Sequence, residues 1–106
     1  MKSSKELASI LQRNFGIAVS SNIPDSESAY LNELKVKLSA RVKFFIRTDI
    51  DRLMQALYKI DVDDSESSKA FDLGEINRVS DQLSELIIVR QIKKIEYARN
   101  FNSSKG

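Results

Sequence analysis

The chain has no cysteine and no histidine. The first absence excludes disulfides and thiolate metal sites. The second removes the commonest general base, and the pair of absences leaves enzyme chemistry poorly supplied. Proline occurs once, at Pro24, and glycine three times, at Gly16, Gly74 and Gly106. Tight turns are therefore few and regular elements long. Gly16 and Gly74 each stand alone, so no glycine-rich phosphate loop exists. Strictly alternating β-branched runs are missing too, which leaves little support for a sheet.

Long apolar runs are also absent. The longest, Leu86-Ile87-Ile88-Val89, falls far short of the ~20 residues of a membrane span. No apolar h-region follows Lys2 and Lys5, unlike a secretory signal. These absences together predict a cytoplasmic protein without a membrane partner, and nothing in the sequence calls for a cofactor.

What is present suits a single domain. At 106 residues the chain lies in the ordinary range for one. The 17 basic and 15 acidic residues leave a net charge of +2, which by itself neither favours nor excludes nucleic acid. Their distribution says more. Lys35, Lys37, Arg41, Lys43 and Arg47 form a basic block, as do Arg90, Lys93, Lys94, Arg99 and Lys105, while Asp61, Asp63, Asp64, Glu66 and Asp72 form an acidic one between them. Such blocks usually mark solvated helix faces and loops.

Apolar residues recur every three or four positions, which predicts helices. The first starts at Ser3, where Ser3 and Glu6 have capping-box spacing, buries Leu7, Ile10, Leu11 and Phe15, and stops at Gly16. Ile17 to Asp25 read as a polar connection. A second helix begins near Ser26 and carries Tyr30, Leu31, Leu34, Leu38, Val42, Phe45 and Ile46. Thr48 with Asp51 reads as a fresh N-cap, opening a third helix whose apolar positions are Ile50, Leu53, Met54, Leu57 and Ile60; one kinked helix is the alternative. The Asp61–Asp72 connection has room for a short helix capped by Asp63 or Asp64, with Ala70 and Phe71 inward. The last helix spans Glu75 to Arg99 with Ile76, Val79, Leu83, Leu86, Ile87, Ile92 and Ile95 inward.

The fold expected is therefore all-α: a bundle of four main helices with one short extra helix, one domain over residues 1–101 and a disordered tail over 102–106. Its expected core is Leu31, Leu34, Leu38, Val42, Phe45, Leu53, Leu57, Ile76, Val79, Leu83, Leu86 and Ile92. The two long antiparallel helices supply most of the burial.

The acidic connection has partial spacing for a calcium loop. Asp61, Asp63, Ser65 and Asp72 fall at ligand positions, but the sixth position is Glu66 where the sharp turn requires glycine. A solvated helix-capping loop explains it better. Carboxylate pairs such as Asp49 with Asp51, or Asp81 with Glu85, suit a helix start and an exposed face rather than catalysis.

Segments Leu57-Tyr58-Lys59-Ile60-Asp61-Val62-Asp63 and Leu86-Ile87-Ile88-Val89-Arg90-Gln91-Ile92-Lys93-Lys94-Ile95 resemble those of small all-helical bacterial proteins of unassigned function. The resemblance covers roughly the latter half of the chain and implies a helical fold, with no activity, ligand or site.

The functional expectation is a non-enzymatic protein-interaction or accessory module, with a protein partner or the chain itself as a homodimer. Ile87, Ile88 and Val89 point in directions ~100° apart, more than one narrow stripe covers, so this run is either enclosed within its own bundle or covered by a second chain. Ile88, Val89 and Ile95, rimmed by Arg90 and Lys94, are accordingly the expected interface. The alternative is nucleic-acid binding by the basic faces, with Phe44 and Phe45 or Tyr97 and Phe101 stacking on bases. No helix-turn-helix spacing or zinc signature supports it.

Overall fold

The computed structural model describes residues 2–18 and 26–105, and the side chains of residues 4–18 and 26–100. Among the described residues there are five helices and no strand: α1 Lys2–Phe15, α2 Glu27–Thr48, α3 Ile50–Lys59, α4 Asp64–Phe71 and α5 Ile76–Lys105. The chain is all-α as expected, and α4 is the short extra helix. No described helix is long and apolar enough to cross a membrane.

Local chemistry sets the helix ends. Gly16 closes α1 at φ +68° and Gly74 precedes α5 at φ +81°, left-handed conformations that glycine adopts without steric strain. The Ser26 hydroxyl accepts the Ala29 N–H at 3.0 Å and opens α2. Both carboxylate oxygens of Glu75 accept N–H groups at the start of α5, from Asn77 and Arg78.

The break between α2 and α3 makes two helices, but Asp49 caps the second one, not Thr48. Asp49 accepts the Arg52 N–H at 3.2 Å, whereas the Thr48 hydroxyl donates back to the Phe44 carbonyl at 2.7 Å. Ser3 lies inside α1 and not ahead of it, and its side chain is outside the described residues. At the other end α5 runs on to Lys105, past Arg99 and into the segment read as a tail. The reason is plain in the sequence: no glycine or proline intervenes between Gly74 and Gly106.

The core forms where α2 and α5 pack antiparallel. Ser39 donates to Asp81 at 2.6 Å and Lys35 pairs with Glu85 at 3.0 Å, which fixes their register. Leu34, Leu38, Val42 and Phe45 of α2 and Val79, Leu83 and Ile87 of α5 are buried between them. Helix α1 lies against both and adds Leu7, Leu11 and Phe15, all fully buried. It too opposes α5 in direction, with Glu6 paired to Arg99 at 3.1 Å. Leu53, Ala56, Leu57 and Ile60 close the core from α3, and Ala70 from α4.

Several apolar residues sit elsewhere than expected. Ile17 is buried, so the connection after α1 starts as part of the core. Ile76 is half-buried and outside the core cluster; Leu31, Leu86 and Ile92 pack on its edge. Ile50 and Met54 are 41% and 43% exposed. The Asp49 cap restarts the helix, and the face turned inward is Leu53, Ala56, Leu57 and Ile60. Residues one position away point ~100° off that face.

Two serines are fully buried on α5. Ser84 donates to the Ser80 carbonyl at 2.7 Å, while the Ser80 hydroxyl is buried with no partner. A buried hydroxyl without a hydrogen bond destabilises, so Ser80→Ala should raise stability by about 1 kcal/mol. Leu83→Ala, one turn on in the same core, should lower it by about 2–5 kcal/mol. Urea titrations of both variants check the pair, and a destabilised Ser80→Ala would mean that this hydroxyl has a partner in solution.

Candidate interaction surface

The corner between α3 and α4 is fastened to α5 by three donors on adjacent turns. Gln91, only 3% exposed, donates to the Ile60 carbonyl at 2.8 Å. Arg90 Nε donates to the Asp61 carbonyl at 3.1 Å. Lys94 Nζ pairs with the Asp61 carboxylate at 2.9 Å. The chain can turn here because Asp61 takes φ +61°, a region that aspartate tolerates better than most residues. The two segments singled out in the sequence, 57–63 and 86–95, thus lie face to face. The hydrogen bond from Lys94, reinforced by its charge, holds the Asp61 carboxyl below its ordinary 3.8.

This corner changes the expected interface. Ile88 and Ile95 are 7% and 8% exposed, core residues of the chain itself. Of the three apolar residues expected at an interface only Val89 reaches the surface, at 38%. Arg90 and Lys94 hold the corner. Beside them a groove of about 490 Å³ opens between the start of α4 and α5. Its floor is Val62, Leu86 and Val89; Asp61, Asp63 and Glu66 form one lip, Arg90 and Lys93 the other. Opposite charges across so short a gap largely cancel, so the groove presents no strong field of either sign.

The acidic segment does not form a calcium loop, because eight of its residues wind into α4. Asp63 caps that helix: its Oδ2 accepts the Ser65 hydroxyl at 2.5 Å and the Glu66 N–H at 3.2 Å. Those bonds, the serine's first, hold its carboxyl below the ordinary value.

One surface escaped sequence reasoning, and a second was legible there only in part. On α3, Ile50, Met54 and Tyr58 are 41%, 43% and 82% exposed and stand one turn apart along one face. The apolar spacing groups Ile50 and Met54 with Leu53 and Leu57 and leaves Tyr58 out, which hides the stripe. The second surface is basic. The α2 block is largely occupied within the fold: Lys35 pairs with Glu85, Lys37 with Glu33, and Arg41 donates to the Phe15 carbonyl while stacking on Phe44 and Phe45. Of the aromatics expected to stack on bases, Phe45 is core, Phe44 lies beneath Arg41, Tyr97 is 74% exposed, and the Phe101 side chain is outside the described residues. The α5 block is joined by cations from elsewhere, since Arg13 and Lys59 share a recess of about 250 Å³ with Lys94. A neighbouring recess of about 470 Å³ is lined by Arg90, Lys93, Lys94 and Tyr97.

No protein-family model, curated protein or solved structure matches this chain. Surface chemistry alone carries the functional argument.

Two predictions test the corner. Gln91→Leu leaves the Ile60 carbonyl without its donor and should cost about 1–3 kcal/mol in urea unfolding; an unchanged midpoint would show that water replaces the amide. Asp61→Asn keeps a residue suited to φ +61° and removes the charge. Because the folded carboxyl is depressed, its contribution exists above the ordinary carboxylate range and vanishes as pH falls through the lower folded value. The variant should therefore melt below wild type at neutral pH, with the gap closing below about pH 4 as wild type protonates. A gap of equal size at pH 2 and pH 7 would rule out the ion pair as its cause.

Proposed function

We propose that the chain is a non-enzymatic interaction module that docks through α3, and that its occupant is a second copy of the same helix. The observation behind this reading is the stripe Ile50–Met54–Tyr58: three large apolar side chains exposed at successive turns, the pattern by which an amphipathic helix meets another. No other described helix carries three of its large exposed apolar residues at this spacing.

Charge favours self-pairing. Asp49 and Asp51 stand at the start of α3 and Lys59 at its end. A twofold axis near Met54 sets Ile50 of each copy against Tyr58 of the other and brings each acidic end to the opposite basic end. It also opposes the two helix dipoles. The contact is small, since a ten-residue helix is only ~15 Å long. An interface well under the standard ~1,600 Å² belongs with weak, transient associations.

Sedimentation equilibrium up to high micromolar concentration tests the proposal. Wild type should shift from monomer toward dimer as concentration rises, Met54→Glu should remain monomeric, and Val36→Glu, at a 63% exposed site on α2, should behave as wild type. Helical circular dichroism confirms that each variant folds. A wild type that stays monomeric throughout sinks the second-copy reading.

A further inference from the structure

Arg13, Lys59 and Lys93 carry no ion pair among the described residues, yet α1, α3 and α5 bring them to two recesses that meet at Lys94. Arg90 lines the second recess, and Tyr97 stands at its far end, 74% exposed. Five cations on three helices thus face one side of the molecule, against Asp61, which Lys94 engages, and against Asp63 and Glu66 across the groove from Arg90 and Lys93. Five cations against three carboxylates leave a local excess of two positive charges, as large as the net charge of the whole chain, +2.

We propose that this strip binds single-stranded nucleic acid, with Arg13, Lys59, Lys93 and Lys94 meeting successive phosphates and Tyr97 stacking on a base. Three features favour a flexible strand. The cations lie in recesses and not on a flat face, so a bendable backbone follows them better than a rigid duplex. An exposed tyrosine ring beside a phosphate track is the arrangement by which sequence-neutral single-strand binding works. The acidic lip of Asp61, Asp63 and Glu66 lies on the α4 side of Arg90 and Lys93 and repels phosphate there, directing the strand from the Arg13 recess toward Tyr97. From Gln91 to Tyr97 the α5 surface rises only ~9 Å, so the strip accommodates a few nucleotides. The site shares Lys59 with the end of α3 but none of the stripe residues, and Met54→Glu leaves it intact.

Fluorescence anisotropy with a labelled, mixed-sequence 12-nucleotide single strand reads the binding. Neutralising about three or four phosphates gives a logarithmic salt slope of about −2 to −3, a loss of roughly 20- to 50-fold between 50 and 200 mM salt. The double variant Arg13→Glu/Lys93→Glu should weaken binding at least tenfold more than Arg47→Glu/Arg78→Glu, which changes net charge equally at exposed sites elsewhere. Tyr97→Ala should lose about 5- to 100-fold. No binding at 50 mM salt, equal losses for the two double variants, an unaffected Tyr97→Ala, or a duplex that binds as tightly as the single strand would each overturn the proposal.

Discussion

The rest of the structure depends on how α5 is covered. At 30 residues it is ~45 Å long, which equals the longest dimension of the molecule, 45 Å. Its central run of Leu86, Ile87, Ile88 and Val89 turns through ~300°, so no single neighbour can shield it. Three helices do so together. α2 packs along one side, α1 along a second and α4 over a third, leaving Ile87 fully buried, Ile88 nearly so, Leu86 at the edge and Val89 at the surface. A second chain was one way to cover that run; the chain's own short helix is the one adopted. Helix α4 has eight residues, too few to be stable alone, so its place on α5 must come from tertiary contacts.

Those contacts begin at the corner. Gln91 is buried and polar, and its amide meets a carbonyl at the end of α3, a helix terminus whose acceptors need partners. Arg90 and Lys94 flank it and fix Asp61 in its left-handed turn. The residues that seat α4 are therefore the same ones that set where Arg90, Lys93 and Lys94 stand on the surface. Packing and surface chemistry share one stretch of sequence here, so Arg90 and Lys94 are poor guides to function when read from charge alone.

The helical architecture was legible because periodicity and capping agree along nearly all of the chain. Ser26 and the two internal glycines marked boundaries where the structure has them. What failed has a common origin. A period shows which residues share a face but not which face meets the core, and after Asp49 the two readings differ by a rotation of about one residue. That rotation turns Ile50 and Met54, which share the expected apolar stripe of the helix with Leu53 and Leu57, to the surface and brings Ala56 inward. The burial of Ile88 and Ile95 has a related reason: both look surplus on α5 until α1 and the short α4 are placed against it. The basic strip was legible only in part: Arg90, Lys93, Lys94 and Tyr97 stand in one stretch of sequence, whereas Arg13 and Lys59 join them only through tertiary packing.

Lys59 ties the two proposed surfaces together. It ends α3, where pairing of two copies brings it close to the acidic start of the other helix, and it also lines the Arg13 recess. One ammonium group cannot serve an aspartate and a phosphate equally well at the same time. If both proposals hold, pairing through α3 would lower the affinity of the strip for a polyanion, and by linkage a bound strand would weaken the pairing by the same factor. An exposed ion pair contributes at most about 1 kcal/mol, so the coupling through this one residue is no more than about fivefold. That is enough to make the two states compete without excluding each other, and it sets the sign: a module acting through both surfaces favours the monomer when nucleic acid is plentiful and the dimer when it is scarce.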